Sequence, residues 1–331
     1  MGASNQILIY MFFTIILPEF SMDYYIGRLG PTVAHGPYSE AEVISRMRNG
    51  IIDDSCFVWA AGMADWLPIR NVINATIPAP LIPRETRKKL YQPGASEPFR
   101  LSRSKLDNYL KCQRCFYLDR RLGIKPPSGP AFTLNIAVDE LLKREFDTFR
   151  KNGKPHPLMV ENSVNAVPWP DLVNHEEWRQ NFTGIRHLHM STNLELFGAV
   201  DDIWVNAQGE LIVVDYKATS KAQAIQSTDD VGGWYGAYKR QLEIYVWLLR
   251  QQSDFTVSND IYWVYANGDK TRDSFEGRLE FEMTIIKDRA DDSWVEEVLG
   301  KAYECLQSDE LPAPSQDCDF CKYLEAISNL E

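Results

Sequence analysis

Three side chains in one short stretch have the types and spacing of a hydrolytic metal site: Asp201, Asp215 and Lys217. They lie in Phe197-Gly-Ala-Val-Asp-Asp-Ile-Trp-Val-Asn-Ala-Gln-Gly-Glu-Leu-Ile-Val-Val-Asp-Tyr-Lys217, two apolar runs of β character around a Gly-containing turn. A three-residue loop Ala207-Gln208-Gly209, with Gly209 supplying the left-handed conformation, makes this a hairpin centred on Gln208. Asp201 and Asp215 are equidistant from Gln208 and therefore face each other. Side chains alternate along a strand, so Lys217 returns to the face of both carboxylates. Like charges placed opposite one another destabilise a sheet, and two acids with one lysine among apolar neighbours call for a further cation. A divalent metal meets that need.

The rest of the chain must hold these groups in place. At 331 residues, with 44% apolar and 24% charged residues, it has an ordinary globular composition and room for one large or two unequal domains. A net charge of −11 argues against a protein that coats nucleic acid indiscriminately. The charge is uneven: Arg84 to Lys125 holds twelve Lys/Arg against four acids. That basic segment suits a phosphodiester substrate, and a solvated linker with a charged helix face accounts for it equally well. Residues 1–21 form an apolar leader whose run from Ile7 to Leu17 is too short to span a bilayer and lacks the basic lead of a secretion signal. A start site misplaced upstream of Met22 is the expected account, with a weak export signal the alternative, and no membrane association is expected. Six Cys, four of them in two distant Cys-x-x-Cys pairs, fit a reduced, metal-binding, cytoplasmic protein better than a secreted disulfide framework.

Residues 22–74 read as a compact unit, with strands at Tyr24-Tyr25-Ile26 and Phe57-Val58-Trp59, turns at Gly30-Pro31 and Gly36-Pro37, and a helix from Ser39 to Asn49. Ser39 and Glu42 form a capping box and Gly50 stops the helix. Residues 75–98 are a Pro-rich basic linker, and 99–331 form the second domain. That domain opens with a helix from Leu101 to Leu110. Further helices are predicted over 133–150, with Leu134, Val138, Leu141, Leu142 and Phe149 inward, and over 235–251 and 291–306. Strands are expected at 185–190, 194–205, 211–218, 260–266 and 279–286, and the Pro/Asn-rich stretch 155–181 reads as an irregular insertion with a short helix at 176–180.

The first unit resembles the GYF-like family, through Tyr24-Tyr25, Gly36-Pro37-Tyr38, Gly50-Ile51-Ile52, Val58-Trp59 and Trp66-Leu67-Pro68. Related domains dock proline-rich peptides on aromatic shelves, which implies a small α+β domain and a peptide-binding role for Tyr24 and Tyr38. The same resemblance would give Trp59 and Trp66 a binding role, but for these two the core of a small domain is the favoured reading.

The second domain resembles the RecB-like branch of the PD-(D/E)XK nucleases. It shows Leu101-Ser102-x-Ser104-x-Leu106-x-x-Tyr109-x-x-Cys112, Gly198-x-x-Asp201, Asp215-Tyr216-Lys217, Gln241-x-x-x-Tyr245 and Cys318-x-x-Cys321, in the family's order over residues 101–325. The resemblance implies an α/β (α+β) restriction-endonuclease-like fold, with a mixed central sheet flanked by helices. It also implies Mg2+ or Mn2+ held by Asp201, Asp215 and the carbonyl of Tyr216, with Lys217 beside the attacking water and Gln241 and Tyr245 flanking the site. Core packing is an equally good reading of Tyr245. Where the family commonly carries Gly-x-x-x-His, this chain has Asn135-x-x-x-Asp139, so Asp139 is either an additional metal ligand or a solvent-facing acid. Cys112, Cys115, Cys318 and Cys321 together would hold Zn2+ or a [4Fe-4S] cluster.

The implied activity is metal-dependent hydrolysis of DNA, in repair or defence, with an N-terminal interaction module for a proline-rich protein. The alternative is a catalytically idle nucleic-acid-binding scaffold. No Gly-x-x-x-x-Gly-Lys-Ser/Thr loop occurs, so a helicase would be a separate partner.

Overall fold

In the computed structural model the described residues are 22–27, 34–48, 52, 56–73, 90–126, 129 and 132–328, and the chain divides into two compact units, Met1–Arg84 and Glu85–Glu331. The leader, the turn at Gly30-Pro31, the helix stop at Gly50 and the linker up to residue 89 lie outside the described residues.

The first unit contains β1 (Tyr24–Gly27), β2 (His35–Tyr38), α1 (Glu40–Arg48), β3 (Phe57–Ala60), β4 (Leu67–Pro68) and α2 (Ile69–Val72). Its sheet has the order β2-β1-β3-β4. The expected capping box starts α1: Ser39 N–H donates to the Glu42 carboxylate at 2.7 Å, and Glu42 N–H donates back to Ser39 Oγ at 3.3 Å. Period-two alternation buries Val58 and Ala60 with Tyr24, Ile26, Val43 and Ile69 and turns Trp59 to the other face. Gly36, at φ +146°, is required because a Cβ there would lie 2.6 Å from the Tyr24 carbonyl oxygen.

The second unit runs β5 (Phe99–Ser102), α3 (Arg103–Lys111), α4 (Gln113–Arg121), α5 (Thr133–Lys151), α6 (Pro157–Glu161), β6 (Ala166–Pro168), α7 (Leu172–Trp178), β7 (Ile185–His189), β8 (Leu194–Gly198), β9 (Asp202–Asn206), β10 (Leu211–Thr219), a 3-10 segment (Thr228–Trp234), α8 (Tyr235–Arg250), β11 (Val257–Gly268), β12 (Phe281–Arg289), α9 (Val295–Gln307) and α10 (Asp319–Ser328). A five-stranded mixed sheet, β12-β11-β10-β9-β6, lies beside a three-stranded one, β5-β8-β7. Strands β10 and β11 are parallel, and α8 makes the crossover between them.

Central strand β10 is buried on both faces. Leu211 and Val213 pack with Leu242, Tyr245 and Val246 of α8, while Ile212, Val214 and Tyr216 pack with Phe146 of α5 and Trp204 of β9. This mixed α/β architecture is the expected one, with three local differences. The strand expected over 194–205 is broken at residues 199–201, so its halves enter different sheets and Asp201 sits in the break. The stretch 155–181 carries β6, the edge strand paired with β9, and Trp169 and Trp178 stacked at 5.4 Å. Helix α5 turns Leu142, Phe146 and Arg150 inward and leaves Leu134 and Leu141 about 60% exposed, because a buried arginine, invisible to an apolar pattern, sets its phase. From Leu90 onward the predicted linker packs on the second unit: Tyr91 is buried, and its N–H donates to the Arg120 carbonyl at 2.8 Å.

Candidate active site and cysteine centre

The β9–β10 hairpin has the expected register, with Val205 opposite Leu211, Ile203 opposite Val213 and Asp202 opposite Val214, and Gly209 has φ +81°. Asp201 lies one residue beyond the ladder, and its Oδ2 accepts the Tyr216 N–H at 3.1 Å. Asp215 is 1% exposed; Gln241 Nε2 donates to its Oδ1 at 2.7 Å, and the Lys217 ammonium pairs with its Oδ2. Lys217 Nζ also stands 3.5 Å from Gln241 Oε1 and 4.5 Å from the centre of the Tyr238 ring. One amide therefore holds both Asp215 and Lys217.

Helix α5 completes the cluster. Lys143 Nζ lies 2.8 Å from Asp139 Oδ2 and 3.2 Å from Asp201 Oδ1, and Asn135 Nδ2 donates to the Ala218 carbonyl at 2.8 Å, tying the start of α5 to the end of β10. Asp139, Asp201, Tyr216, Lys217 and Tyr238 line a cavity of about 280 Å³. Tyr245 does not line it. It is buried under Gly198, where a Cβ would stand 2.6 Å from its ring, so the glycine of Gly198-x-x-Asp201 makes room for an aromatic core residue. Tyr24 of the first unit, expected on a peptide-binding surface, is 7% exposed and belongs to the core; Tyr38 is half-buried, with the Arg46 guanidinium 4.2 Å from its ring centre. The outward aromatic pair is instead Tyr25 and Trp59, opposed across β1 and β3 at 5.9 Å, so Trp59 and the half-buried Trp66 are not fully core residues.

The electrostatics of the cluster are asymmetric. Burial pushes the Asp215 carboxyl well above the ordinary carboxylate range, and the negative Asp201 adds to the rise against the pull of Lys217. Burial acts on Asp201 in the same sense, but Lys143, Lys217 and the Tyr216 N–H overcome it and hold that carboxyl low. Asp139 is raised, first by burial and then by Asp201. Burial would depress both lysines, yet the carboxylates raise them. Three carboxylates face two ammonium groups, so the site lacks positive charge. Hard oxygen donors converging on an under-compensated cavity fit Mg2+ or Mn2+.

Asp202, one residue on, faces away from the cavity into the fold. It is fully buried, accepts the Tyr216 hydroxyl at 2.5 Å, the Ile203 N–H at 2.8 Å and the Trp204 indole N–H at 3.2 Å, lies 2.9 Å from His175 Nε2, and pairs with Arg150. Arg179, which donates to the Asp201 carbonyl at 2.9 Å, closes the network on Asp147. The signal for it is the Asp-Asp doublet: alternation in a strand must send one acid to each face, and the acid on the packed face needs buried partners. Lys143 left no signal beyond lying one helical turn from Asp139.

The four expected cysteines converge. Sγ–Sγ distances are 3.4 Å for Cys115–Cys318, 3.6 Å for Cys115–Cys321 and 3.8 Å for Cys112–Cys321, and all four sulfurs lie within 4.8 Å of one another. Cys112 joins α3 to α4 and Cys321 lies in the first turn of α10, so the set pins the two ends of the second unit together. None of the four forms a disulfide. Burial opposes ionisation of Cys112, but contacts with the Ser315 and Cys115 backbones draw its thiol down to about 6. A tetrahedral thiolate-seeking ion fits this cluster.

Among the described residues of the basic segment, five side chains are spent on ion pairs within the fold. Arg100 pairs with Glu195, Lys105 and Arg120 with Asp119, Lys111 with Asp107, and Arg121 with Asp309. His189 is likewise structural, 2.6 Å from Glu296. Among the described residues no helix is long and apolar enough to cross a membrane.

No curated protein matches the chain significantly. Solved structures that the chain matches include a provisionally assigned exonuclease from Eubacterium rectale (13% identity, TM-score 0.34, covering 72% of this chain and 90% of that one) and the protein SSO0001 (14% identity, TM-score 0.30, 72% and 92%). Residues 24–73 match the model of GYF domain 2. Residues 137–326, more than half of the chain, match that of the PD-(D/E)XK nuclease superfamily. The chain thus belongs to the PD-(D/E)XK nuclease superfamily and carries a GYF domain ahead of its nuclease domain.

Proposed function

We propose that this chain is a divalent-metal-dependent deoxyribonuclease of the RecB-like branch, hydrolysing phosphodiester bonds at the cavity under α5 and α8. The observation that carries the reading is the Asp201–Asp215–Lys217 cluster clamped by Gln241, in which carboxylate charge exceeds ammonium charge beside an open cavity. Asp201 and Asp215, with Asp139 at the margin and the Tyr216 carbonyl between them, would hold Mg2+ or Mn2+, which acidifies water and offsets charge on phosphorus when bound. Lys217 orients the attacking water and shields the charge building on the phosphate oxygens. Gln241 fixes both ends of the Asp215–Lys217 pair, so that neither drifts as the charge changes. Tyr245 acts by packing, through Gly198, to seat Asp201.

The outward Tyr25–Trp59 pair supports capture of a proline-rich protein by the first unit, with any helicase a separate chain. The four thiols support Zn2+ or a [4Fe-4S] cluster as a stabilising cofactor. Six free cysteines, four of them clustered, support cytoplasmic residence. An idle scaffold is disfavoured, because the charged cluster costs stability that chemistry alone would justify.

The test is cleavage of DNA and RNA by the purified full chain with Mg2+ or Mn2+. Asp215→Asn and Lys217→Ala should each lower the rate by about 10²–10⁴-fold with unchanged circular dichroism. Undiminished cutting by both variants would exclude this site.

A further inference from the structure

Beside the cavity lies a row of groups that the reaction above does not use in full. Trp234 ends the 3-10 segment and directly precedes α8. It is 64% exposed, and among the nine tryptophans, all of them described residues, it alone is exposed rather than buried or half-buried. Its indole stacks on Tyr238 one helical turn later, at 6.2 Å between centroids and 18° between planes. Tyr238 in turn lines the cavity and carries Lys217 Nζ 4.5 Å from its ring centre. Indole, phenol and catalytic ammonium thus form one line from solvent into the site. Phe132, 74% exposed, lines the same cavity.

A large aromatic face left in water forgoes its hydrophobic stabilisation, and its backing by a second ring holds it rigidly in place. We infer that Trp234, supported by Tyr238, is a stacking platform for an unpaired nucleobase adjoining the scissile phosphate, and that this chain acts on single-stranded nucleic acid or on frayed ends. The inference rests on the nuclease reading and deepens it by naming the substrate class. A base inside a duplex has both faces covered by its neighbours, so only an unpaired or terminal base can lie on the indole. Sequence preference is not expected, because every base has a π-face. Continuity with Lys217 commits the occupant to the nucleotide next to the reacting phosphorus rather than to a protein.

The experiment uses the full chain with a chelator present, so that no substrate is cut, and follows quenching of tryptophan fluorescence and anisotropy of labelled probes. The probes are a short single-stranded oligodeoxynucleotide, the matching oligoribonucleotide, and a duplex closed by loops at both ends. Trp234→Ala should weaken single-strand binding by about 5- to 150-fold, the loss of one base stack, and Trp234→Phe should restore most of it. Binding to the closed duplex should be unaffected. The two single-stranded arms identify the sugar that the site accepts. Unchanged single-strand binding in Trp234→Ala, equal weakening for the closed duplex, or no single-strand binding by the wild type overturns the inference. Metal-stimulated cleavage combined with unchanged binding by Trp234→Ala defeats the platform and leaves the nuclease reading standing. Trp234-dependent binding without cleavage under any metal does the reverse.

Discussion

Asp201 and Asp202 are neighbours in sequence, both acids, at the mouth of one strand, yet they live in opposite environments. Asp202 is fully buried and saturated, with Arg150, His175, the Tyr216 hydroxyl, the Trp204 indole and a backbone N–H around its two oxygens. Asp201 is partly exposed, shares Lys143 with Asp139, and stands against a second carboxylate, Asp215. A buried acid whose every lone pair is filled has nothing left to bind and serves the fold. An acid set among too few cations retains capacity for a ligand. The contrast also links the two faces, because Tyr216 gives its backbone N–H to Asp201 and its hydroxyl to Asp202.

The contrast breaks most visibly if the saturated acid is removed. Asp202→Ala strands the buried Arg150 guanidinium without its carboxylate and should lower unfolding stability by about 3–5 kcal/mol in denaturant titrations. An unchanged midpoint would show that the hub is dispensable.

The pH dependence separates the faces next. Burial lowers the His175 pKa from 6.5, against the pull of Asp202. Asp202 itself is held far below 3.8, because Arg150 and His175 outweigh its burial. In both cases the unfolded chain binds the proton first, so stability is full above the unfolded value and falls as pH drops. Thermal midpoints should begin to decline as pH passes below about 6.5 and fall more steeply below about 4, the unfolded His and Asp values. In His175→Gln the first decline should vanish and the second remain; its persistence would assign the upper limb to another group.

The smallest effect sharpens the open side. Lys143 occupies the space between Asp139 and Asp201, so a divalent ion must compete with its ammonium. Lys143→Met should therefore tighten Mn2+ binding, measured by calorimetry, by roughly tenfold or more, since removing one nearby like charge is worth more than 1.4 kcal/mol at an effective dielectric of about 20. Weaker binding would mean that Lys143 organises the ligands instead.

Local rules made much of this legible. The hairpin register around Gln208 follows from loop length and a left-handed Gly209, and it carries Asp201, one residue past the ladder, to the neighbourhood of Asp215. The Cys-x-x-Cys pairs announce a cluster through spacing. What stayed hidden depends on long-range contact. The three-residue strand β6 is too short to show a period, and the inward phase of α5 is set by Arg150 reaching an aspartate 52 positions away. Tyr24 and Tyr25 are indistinguishable by type, and only the packing of α1 on one face of the small sheet decides which is buried.

By itself the sequence determined which groups carry charge, which strand presents them, and that four thiols come in two ligand-spaced pairs, because these are matters of residue identity and of the two- and 3.6-residue periods. Only the tertiary structure decided which of two adjacent aspartates is satisfied, that Lys143 enters the site, and that one indole stands clear of the fold beside Lys217. Solvation and charge compensation are sums over everything that surrounds a side chain, and those surroundings come from segments far apart in the chain.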